Sequence, residues 1–533
     1  MIETMSKFSR SIFERTYSSY PGESWNECSV RVAKAIAMNY QQENIFTDMI
    51  SKRSFLPAGR YLATSGRSIQ QVSNCFAFIP EDSREGWADL LRDVTMCLSM
   101  GGGVGVMYAN IRPSGSRIGR MGGVASGPIA LMQVVNEVGR HVMSGGFRRS
   151  AIWAGLPWDH ADVETFIKIK DWHPDIRSIK EKNFENPAPL DMSNVSVLID
   201  SAYLSKLEFN DPSVTKLHTT ICDYMLRTGE PAFRNQSRIL KDDPTGFGGN
   251  PCQESTLGHR SVCNLGSIVL PRVRDLGHLE ELTRAATRFL INGSIRGSYP
   301  TPEIAATAKK ERRIGLGIMG LHEWMILHGH KYEWSDELAR WLSLWANVCR
   351  EEANIYADHL GVERPIVTRA IAPTGTISII AETTSGIEPI FCRSYKRRYI
   401  NGDKHYYQYV VDPTVKRLID LGMSSKSIED AYDLSLDVER RIKVQAYITD
   451  YLDQAVSSTI NLPEYGSSGS ISTEEFAGLM RIYLPRLKGI TTYPNNSRPG
   501  QPLSPVNIDE AMSNVGVVYE ETGDSCKTGV CGI

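Results

Sequence analysis

Between Trp25 and Tyr40 the apolar positions Val30, Val32, Ala33, Ala35 and Ile36 recur at loosely helical spacing behind Ser24, a residue suited to cap a helix N-terminus. Residues 1–60 therefore read as a short helical cap. From 61 to 490 the pattern changes. Apolar runs of strand length, such as 193–199 and 267–270, alternate with helical stretches such as 338–358. Alternation of this kind predicts an α/β fold with parallel strands. After Thr491, Pro494, Pro499, Pro502 and Pro505 interrupt regular structure, and the remainder is rich in glycine and acidic residues, so 491–533 reads as a mobile tail.

A length of 533 residues exceeds one ordinary core, so several domains or one large barrel with appendages is expected. Hydrophobic content of 41% with 23% charged residues is that of a globular protein rather than a disordered one. With 59 basic and 61 acidic residues the net charge is −2, which argues against DNA, RNA or a membrane surface as the main partner. Met1–Tyr20 is polar, unlike a signal peptide, and no stretch reaches the roughly 18 apolar residues of a membrane span. Ten dispersed cysteines lack the density of a secreted disulfide scaffold and point to a reducing cytoplasm.

The chemistry concentrates in Asn250-Pro251-Cys252-Gln253-Glu254. An extended backbone there would place an amide, a thiol and a carboxylate on one face. Cys263 follows eleven residues later, far enough for a turn and a returning strand, so two thiols can meet beside one carboxylate. Redox work, metal binding and plain structural burial all remain open for such a pair. Pro373-Thr374-Gly375-Thr376-Ile377-Ser378 precedes an apolar stretch and suits phosphate binding at a helix N-terminus, or is simply a turn. The pair Cys526 and Cys531 lacks two further ligands at matching spacing and makes a poor zinc site. Gly315-Leu316-Gly317-Ile318-Met319-Gly320 fits the dinucleotide fingerprint, but it follows the charged segment 309–313 rather than a buried strand, and Gly101–Gly105 lacks the spacing altogether. Neither supports a dehydrogenase.

Ser73-Asn74-Cys75-Phe76, the pair Cys252 and Cys263, the segment 371–378 with Ser385-Gly386-Ile387-Glu388-Pro389, and the terminal Cys526 and Cys531 occur in that order. Together they resemble the catalytic chain of ribonucleotide reductase, from about Thr16 to the C-terminus. The resemblance implies an oxidoreductase of deoxyribonucleotide biosynthesis, allosterically controlled, that acts on a CH2 group with a disulfide as acceptor. It also implies a ten-stranded α/β barrel over 61–490, with the Cys252 loop threading its centre. In this family a separate ATP-sensing module often comes first; the family-like Arg15-Thr16-Tyr17-Ser18 here begins at once, so that module is expected to be missing.

By the same resemblance Cys252 carries the thiyl radical, Glu254 is the base, Asn250 holds a substrate hydroxyl, and Cys75 with Cys263 is the reducing pair. Cys526 and Cys531 pass reducing equivalents from thioredoxin or glutaredoxin by thiol exchange. Residues 373–378 bind the substrate phosphate of a ribonucleoside di- or triphosphate. Asp82 and Arg112 match positions that bind a dNTP or ATP specificity effector, and Arg148 and Arg149 lie in the loop that relays it. The chain departs from the family at Gln253, where glycine is usual, and from Ser255 onwards. In an extended segment position 253 points away from its neighbours, so a packing adjustment is expected.

The segment Lys488-Gly489-Ile490-Thr491-Thr492-Tyr493, with Ser497-Arg498 after it, has one tyrosine where the two-subunit branch has an adjacent pair. It is similar to the adenosylcobalamin-dependent branch, in which that cofactor is the radical source and no metal sits on the chain's own residues. The alternative is an α chain with no cofactor of its own, served by a dimetal partner subunit. Tyr406-Tyr407 lies too early to be that pair and is expected to pack in a strand or loop. A third possibility, a non-radical thiol sensor, has no need of an amide and a base around a third buried thiol. Monomer and homodimer both remain open.

Overall fold

A computed structural model describes residues 5–119, 122–143, 150–183, 185–401, 404–497, 503–515 and 518–520. Its centre is an eight-stranded sheet. Five strands, Cys75–Phe78, Gly103–Met107, Ile152–Pro157, Ser193–Ile199 and Ala232–Asn235, run parallel in that order. Gly489–Pro494 then pairs antiparallel to Ala232–Asn235 and parallel to Thr459–Leu462, while Val262–Cys263 pairs antiparallel at the opposite edge. A second, three-stranded sheet joins Phe55–Pro57, Leu265–Val269 and Gly315–Met319. The parallel strands read as nearly continuous apolar runs because helices cover their outer faces and the site fills the inner one, so six of seven residues in Ser193–Ile199 are buried.

The expected capping serine is confirmed: Ser24 and Glu27 form a reciprocal capping box at the start of Trp25–Ile36, satisfying two N–H groups that the helix itself leaves unpaired. The N-terminal helices are nevertheless more than a cap. Phe13, Trp25, Val32 and Phe46 share one apolar core with Phe289, Trp345 and Ile318, and Phe55–Pro57 is a strand of the second sheet. Five residues of the Gly315–Gly320 fingerprint form the buried strand Gly315–Met319 itself, and only Gly320 stands at the junction with the helix Leu321–Leu327, so no glycine-rich turn follows the strand. Gly317 is required because a Cβ there would stand 2.5 Å from the Ala370 carbonyl oxygen.

The boundary expected after residue 490 falls within the Gly489–Pro494 strand, of which Ile490, Thr492 and Pro494 are buried, Ile490 in the apolar core. Downstream, Leu503–Pro505 and Val518–Glu520 add to the two sides of the hairpin Ser394–Asn401 and Lys404–Val411. Tyr406 and Tyr407 belong to that hairpin, as expected of a strand position. Among the described residues no helix is long and apolar enough to cross a membrane.

Asp453 shows how the distant segments are tied together. Its buried carboxylate accepts from Thr368 N at 2.9 Å, Thr368 Oγ1 at 2.8 Å and Arg369 N at 2.7 Å, and pairs with Arg350 at 2.5 Å. Burial alone would raise its pKa, but the charges of Arg369 and Arg350 and the two N–H groups outweigh burial and hold it below the usual aspartate value. A depressed folded-state pKa stabilises the fold above the unfolded value and loses that contribution as pH falls through the folded value. Asp453→Asn is predicted to cost about 3 kcal/mol at neutral pH, a penalty that shrinks below about pH 4. Denaturation midpoints measured from pH 3 to 8 test this; a deficit independent of pH contradicts the charge argument.

Candidate functional site

Cys75 opens its strand directly opposite Cys263 in an antiparallel pair. Cα atoms so placed stand about 4.5–5.5 Å apart, within the span a disulfide bridges. Both thiols are buried and free. The Cys75 pKa is raised well above the ordinary thiol value, first by its hydrogen bond with Cys263, then by burial and by the Cys263, Glu254 and Cys252 charges. It is therefore a protonated thiol at neutral pH.

The 250–255 loop reaches this pair because the strand beneath it has no side chains in the way. A Cβ on Gly105 would lie 1.8 Å from the Gly249 carbonyl oxygen, and one on Gly103 would press on the Pro251 ring at 3.2 Å and the Cys75 sulfur at 3.3 Å. The expected extended segment is instead a tight turn, closed by Gln253 N donating to Asn250 O at 2.9 Å. Gln253 adopts φ +66°. This left-handed conformation is the one glycine tolerates freely, which accounts for the family's glycine; a side chain there costs about 1–2 kcal/mol. Nor does Gln253 turn outward as an extended segment would require: it is buried, with Oε1 packed toward Gly489. The turn still gathers the expected groups. Asn250 Nδ2 donates to Cys75 Sγ at 3.4 Å, its Oδ1 accepts from Ser255 N at 3.0 Å, and its side chain also bonds Glu254.

Glu254 is 2% exposed, and its Oε2 has no hydrogen-bond partner among the described residues. Burial raises its pKa to about 7, with the Asn250 amide, its own N–H and the Arg234 charge pulling the other way. A carboxyl poised near neutrality and offering one uncommitted oxygen can accept a proton from a bound hydroxyl. Cys252 differs from the other two thiols in being exposed. The residue is exposed even though surrounding protein, Glu254 and Cys263 push its thiol pKa up, so the thiol stays protonated. Three thiols, an amide and a carboxylate thus converge, with one cysteine exposed.

Thr374, at φ +53°, precedes the helix Gly375–Ala381, and its hydroxyl accepts from Gly386 N at 2.7 Å. Ser378 and Ser385 hydroxyls bond at 2.8 Å, so the segments 373–378 and 385–389 clasp each other. Gly375 is exposed and Thr376 and Pro373 are half-buried, whereas Ile377 and Ser378 are buried. Ile371 connects this loop to the catalytic turn: its N–H donates to Ala455 O at 3.1 Å, and Ala455 N donates to Glu254 O at 2.8 Å. Asp82 and Arg112 meet in a partly exposed ion pair. Arg148 and Arg149 lie outside the described residues, as do Arg498, Cys526 and Cys531.

Sequence reasoning missed two supports. Arg234 reaches the loop from Ala232–Asn235, and its one signal is a charge within an otherwise apolar strand. Lys488 was noted only as part of a pattern. Its ammonium donates to the carbonyls of Leu452, Asp453 and Gln454 at 2.8, 2.9 and 2.8 Å, immediately before the Ala455 contact. Burial lowers its pKa to about 8 despite Asp242 beside it.

The family model for the ribonucleotide reductase barrel domain matches residues 73–184, 202–343 and 361–493. A vitamin B12-dependent ribonucleoside-diphosphate reductase of Mycobacterium tuberculosis is 28% identical over 91% of this chain and 78% of that protein. One of the same name from Thermoplasma acidophilum is 28% identical over 86% of this chain and 66% of its own length. A putative adenosylcobalamin-dependent ribonucleoside-triphosphate reductase of Mycobacterium phage D29 is 27% identical over 86% of the chain and 76% of that protein. A match over most of the chain, enclosing the convergence of Cys75, Cys252 and Cys263 on Asn250 and Glu254, places this protein in the ribonucleotide reductase family.

Proposed function

We propose that this chain converts ribonucleotides to 2′-deoxyribonucleotides by thiyl-radical chemistry with adenosylcobalamin as its radical source. The carrying observation is the division of labour among the thiols: Cys252 is exposed, while Cys75 and Cys263 are buried opposite each other. An external one-electron oxidant can then reach Cys252 without reaching the reducing pair. That accessibility is how the site fits the cofactor, which Cys252 would face. Bound adenosylcobalamin supplies radical character by homolysis of its carbon–cobalt bond. The relatives described as vitamin B12-dependent support the same source.

Within the chain, the Cys252 thiyl takes the 3′-hydrogen of the ribose and Glu254 accepts the 3′-hydroxyl proton. Asn250 orients that hydroxyl. The 2′-hydroxyl leaves as water, two electrons and two protons come from Cys75 and Cys263 as they join in a disulfide, the 3′-hydrogen returns from Cys252, and Glu254 gives its proton back to the 3′-oxygen. The clasped 373–378 loop would hold the substrate phosphates, and Asp82, Arg112, Arg148 and Arg149 would serve a dNTP or ATP effector. Cys526 and Cys531 would reduce the spent disulfide and be regenerated by thioredoxin or glutaredoxin.

The family's ten-stranded barrel supports this arrangement. Its ten strands would be the five parallel strands from 75 to 235, then Gly489–Pro494, Thr459–Leu462, the 369–371 segment, Gly315–Met319 and Leu265–Val269. The isolated parallel bridges Ile371↔Val456 and Leu316↔Arg369 favour that circuit. We assign 1–60 as the helical N-terminal region, the barrel from 61, and the tail after Pro494 rather than after 490.

Purified chain given a small dithiol, ribonucleotide and adenosylcobalamin is expected to turn over with no second protein, and Cys252→Ser to be inactive though folded. Turnover that requires another protein instead of the cofactor would overturn the radical source. Because Glu254 must be ionised to accept a proton, and burial raises its pKa to about 7, kcat/KM is expected to fall on the acid side of neutrality. Glu254→Gln should lose about 10²–10⁴-fold and that acid limb with it. Near-normal rates would make the carboxylate structural.

A further inference from the structure

Arg234 is 0% exposed and forms no ion pair with a described carboxylate. An uncompensated buried cation costs several kcal/mol, so a neutral side chain would be the cheaper way to fill its place. Its contacts indicate what it does there. One guanidinium nitrogen, Nη2, donates to Gly248 O at 2.7 Å and Ser255 O at 3.4 Å; the other, Nη1, donates to Gln253 O at 3.3 Å. The group lies over the Trp153 ring, 5.4 Å from its centroid. It also sits directly beneath the loop: a Cβ on Gly249 would meet its Cζ at 2.9 Å. The planar fork therefore spans both limbs of the turn that presents Cys252, at the carbonyls of Gly248, Gln253 and Ser255.

The charged and titratable groups around Glu254 come from four elements. Cys252 shares its loop, Cys75 lies on the Cys75–Phe78 strand, Cys263 opposite it on Val262–Cys263, and Arg234 on Ala232–Asn235. Arg234 is the cation among them. Asp243, the other carboxylate that acts on Arg234, is held by Arg313 at 2.5 Å and by the Thr256 hydroxyl. Asp243 still acts on Arg234 more strongly than Glu254 does, and Glu254 feels Arg234 as its one cation.

We propose that Arg234 is the positioning residue of the Cys252 loop, tying its entering limb at Gly248 to its leaving limb at Gln253 and Ser255, with its charge favouring the ionised form of Glu254. This rests on the reading of Glu254 as the proton acceptor. The Arg234 pKa is lowered to about 10, chiefly by burial, so the side chain remains a cation across the neutral range.

Carbon-13 NMR of protein labelled at the glutamate carboxyl, with Glu254→Gln to assign the resonance, reads the Glu254 midpoint without nucleotide or turnover. In Arg234→Met the midpoint is expected to rise by about one pH unit, a tenfold change in proton affinity. In Arg234→Lys the charge remains, so the midpoint should stay near the wild-type value. A single ammonium cannot span three carbonyls, and kcat should fall at least tenfold with KM little changed. An unmoved midpoint in folded Arg234→Met overturns the proposal. If that variant does not fold, Arg234→Lys decides alone: a displaced midpoint or a wild-type kcat overturns it. Lack of turnover by the wild-type chain would remove the functional reading, whereas the titration would still stand or fall by itself.

Discussion

A loop buried inside a sheet exposes backbone groups that no strand ladder satisfies, and each one left unpaired costs free energy comparable to a lost hydrogen bond. The turn carrying Cys252 meets this constraint with groups brought from four directions. Arg234 takes the carbonyls of Gly248, Gln253 and Ser255; Asn194 Nδ2 donates to Pro251 O at 2.9 Å; Asn250 takes the Ser255 N–H; and Ala455 N donates to Glu254 O. Gly103 and Gly105 complete the fit by leaving the strand beneath without side chains. The loop is irregular but not loose, and its position against Cys75 follows from these contacts.

The same burial sets the proton inventory. Low polarity around the site holds the Cys252 thiol protonated and lifts the Glu254 carboxyl to about 7, while the Cys75 thiol is held protonated first by its hydrogen bond with Cys263 and then by burial. The protonated Cys75 and Cys252 thiols and the near-neutral Glu254 carboxyl thus share one small volume. Cys252 differs from Cys75 in access rather than acidity.

Much of this was legible in the chain. Asn250, Cys252 and Glu254 are close in sequence, and a returning strand was enough to anticipate Cys263, so their convergence with Cys75 could be read from spacing and resemblance. The backbone between them could not, because the left-handed φ at Gln253 is masked by a residue that usually avoids it. Arg234 was invisible for a different reason: a single basic residue in Ala232-Phe233-Arg234-Asn235 looks like an edge position until its partners, 14 to 21 residues ahead, are seen above it. The boundary at 490 failed because Pro494 breaks a strand at its last residue, not its first.

One deoxynucleotide is to be made for each Cys75–Cys263 dithiol oxidised to a disulfide, with Cys252 returning unchanged. Prereduced chain carrying Cys526→Ser and Cys531→Ser, given adenosylcobalamin and ribonucleotide but no reductant, isolates that event. Product counted against disulfides mapped by mass spectrometry should give one deoxynucleotide per chain and one new bridge, between Cys75 and Cys263. Product without that bridge, or a bridge that includes Cys252, would contradict the account.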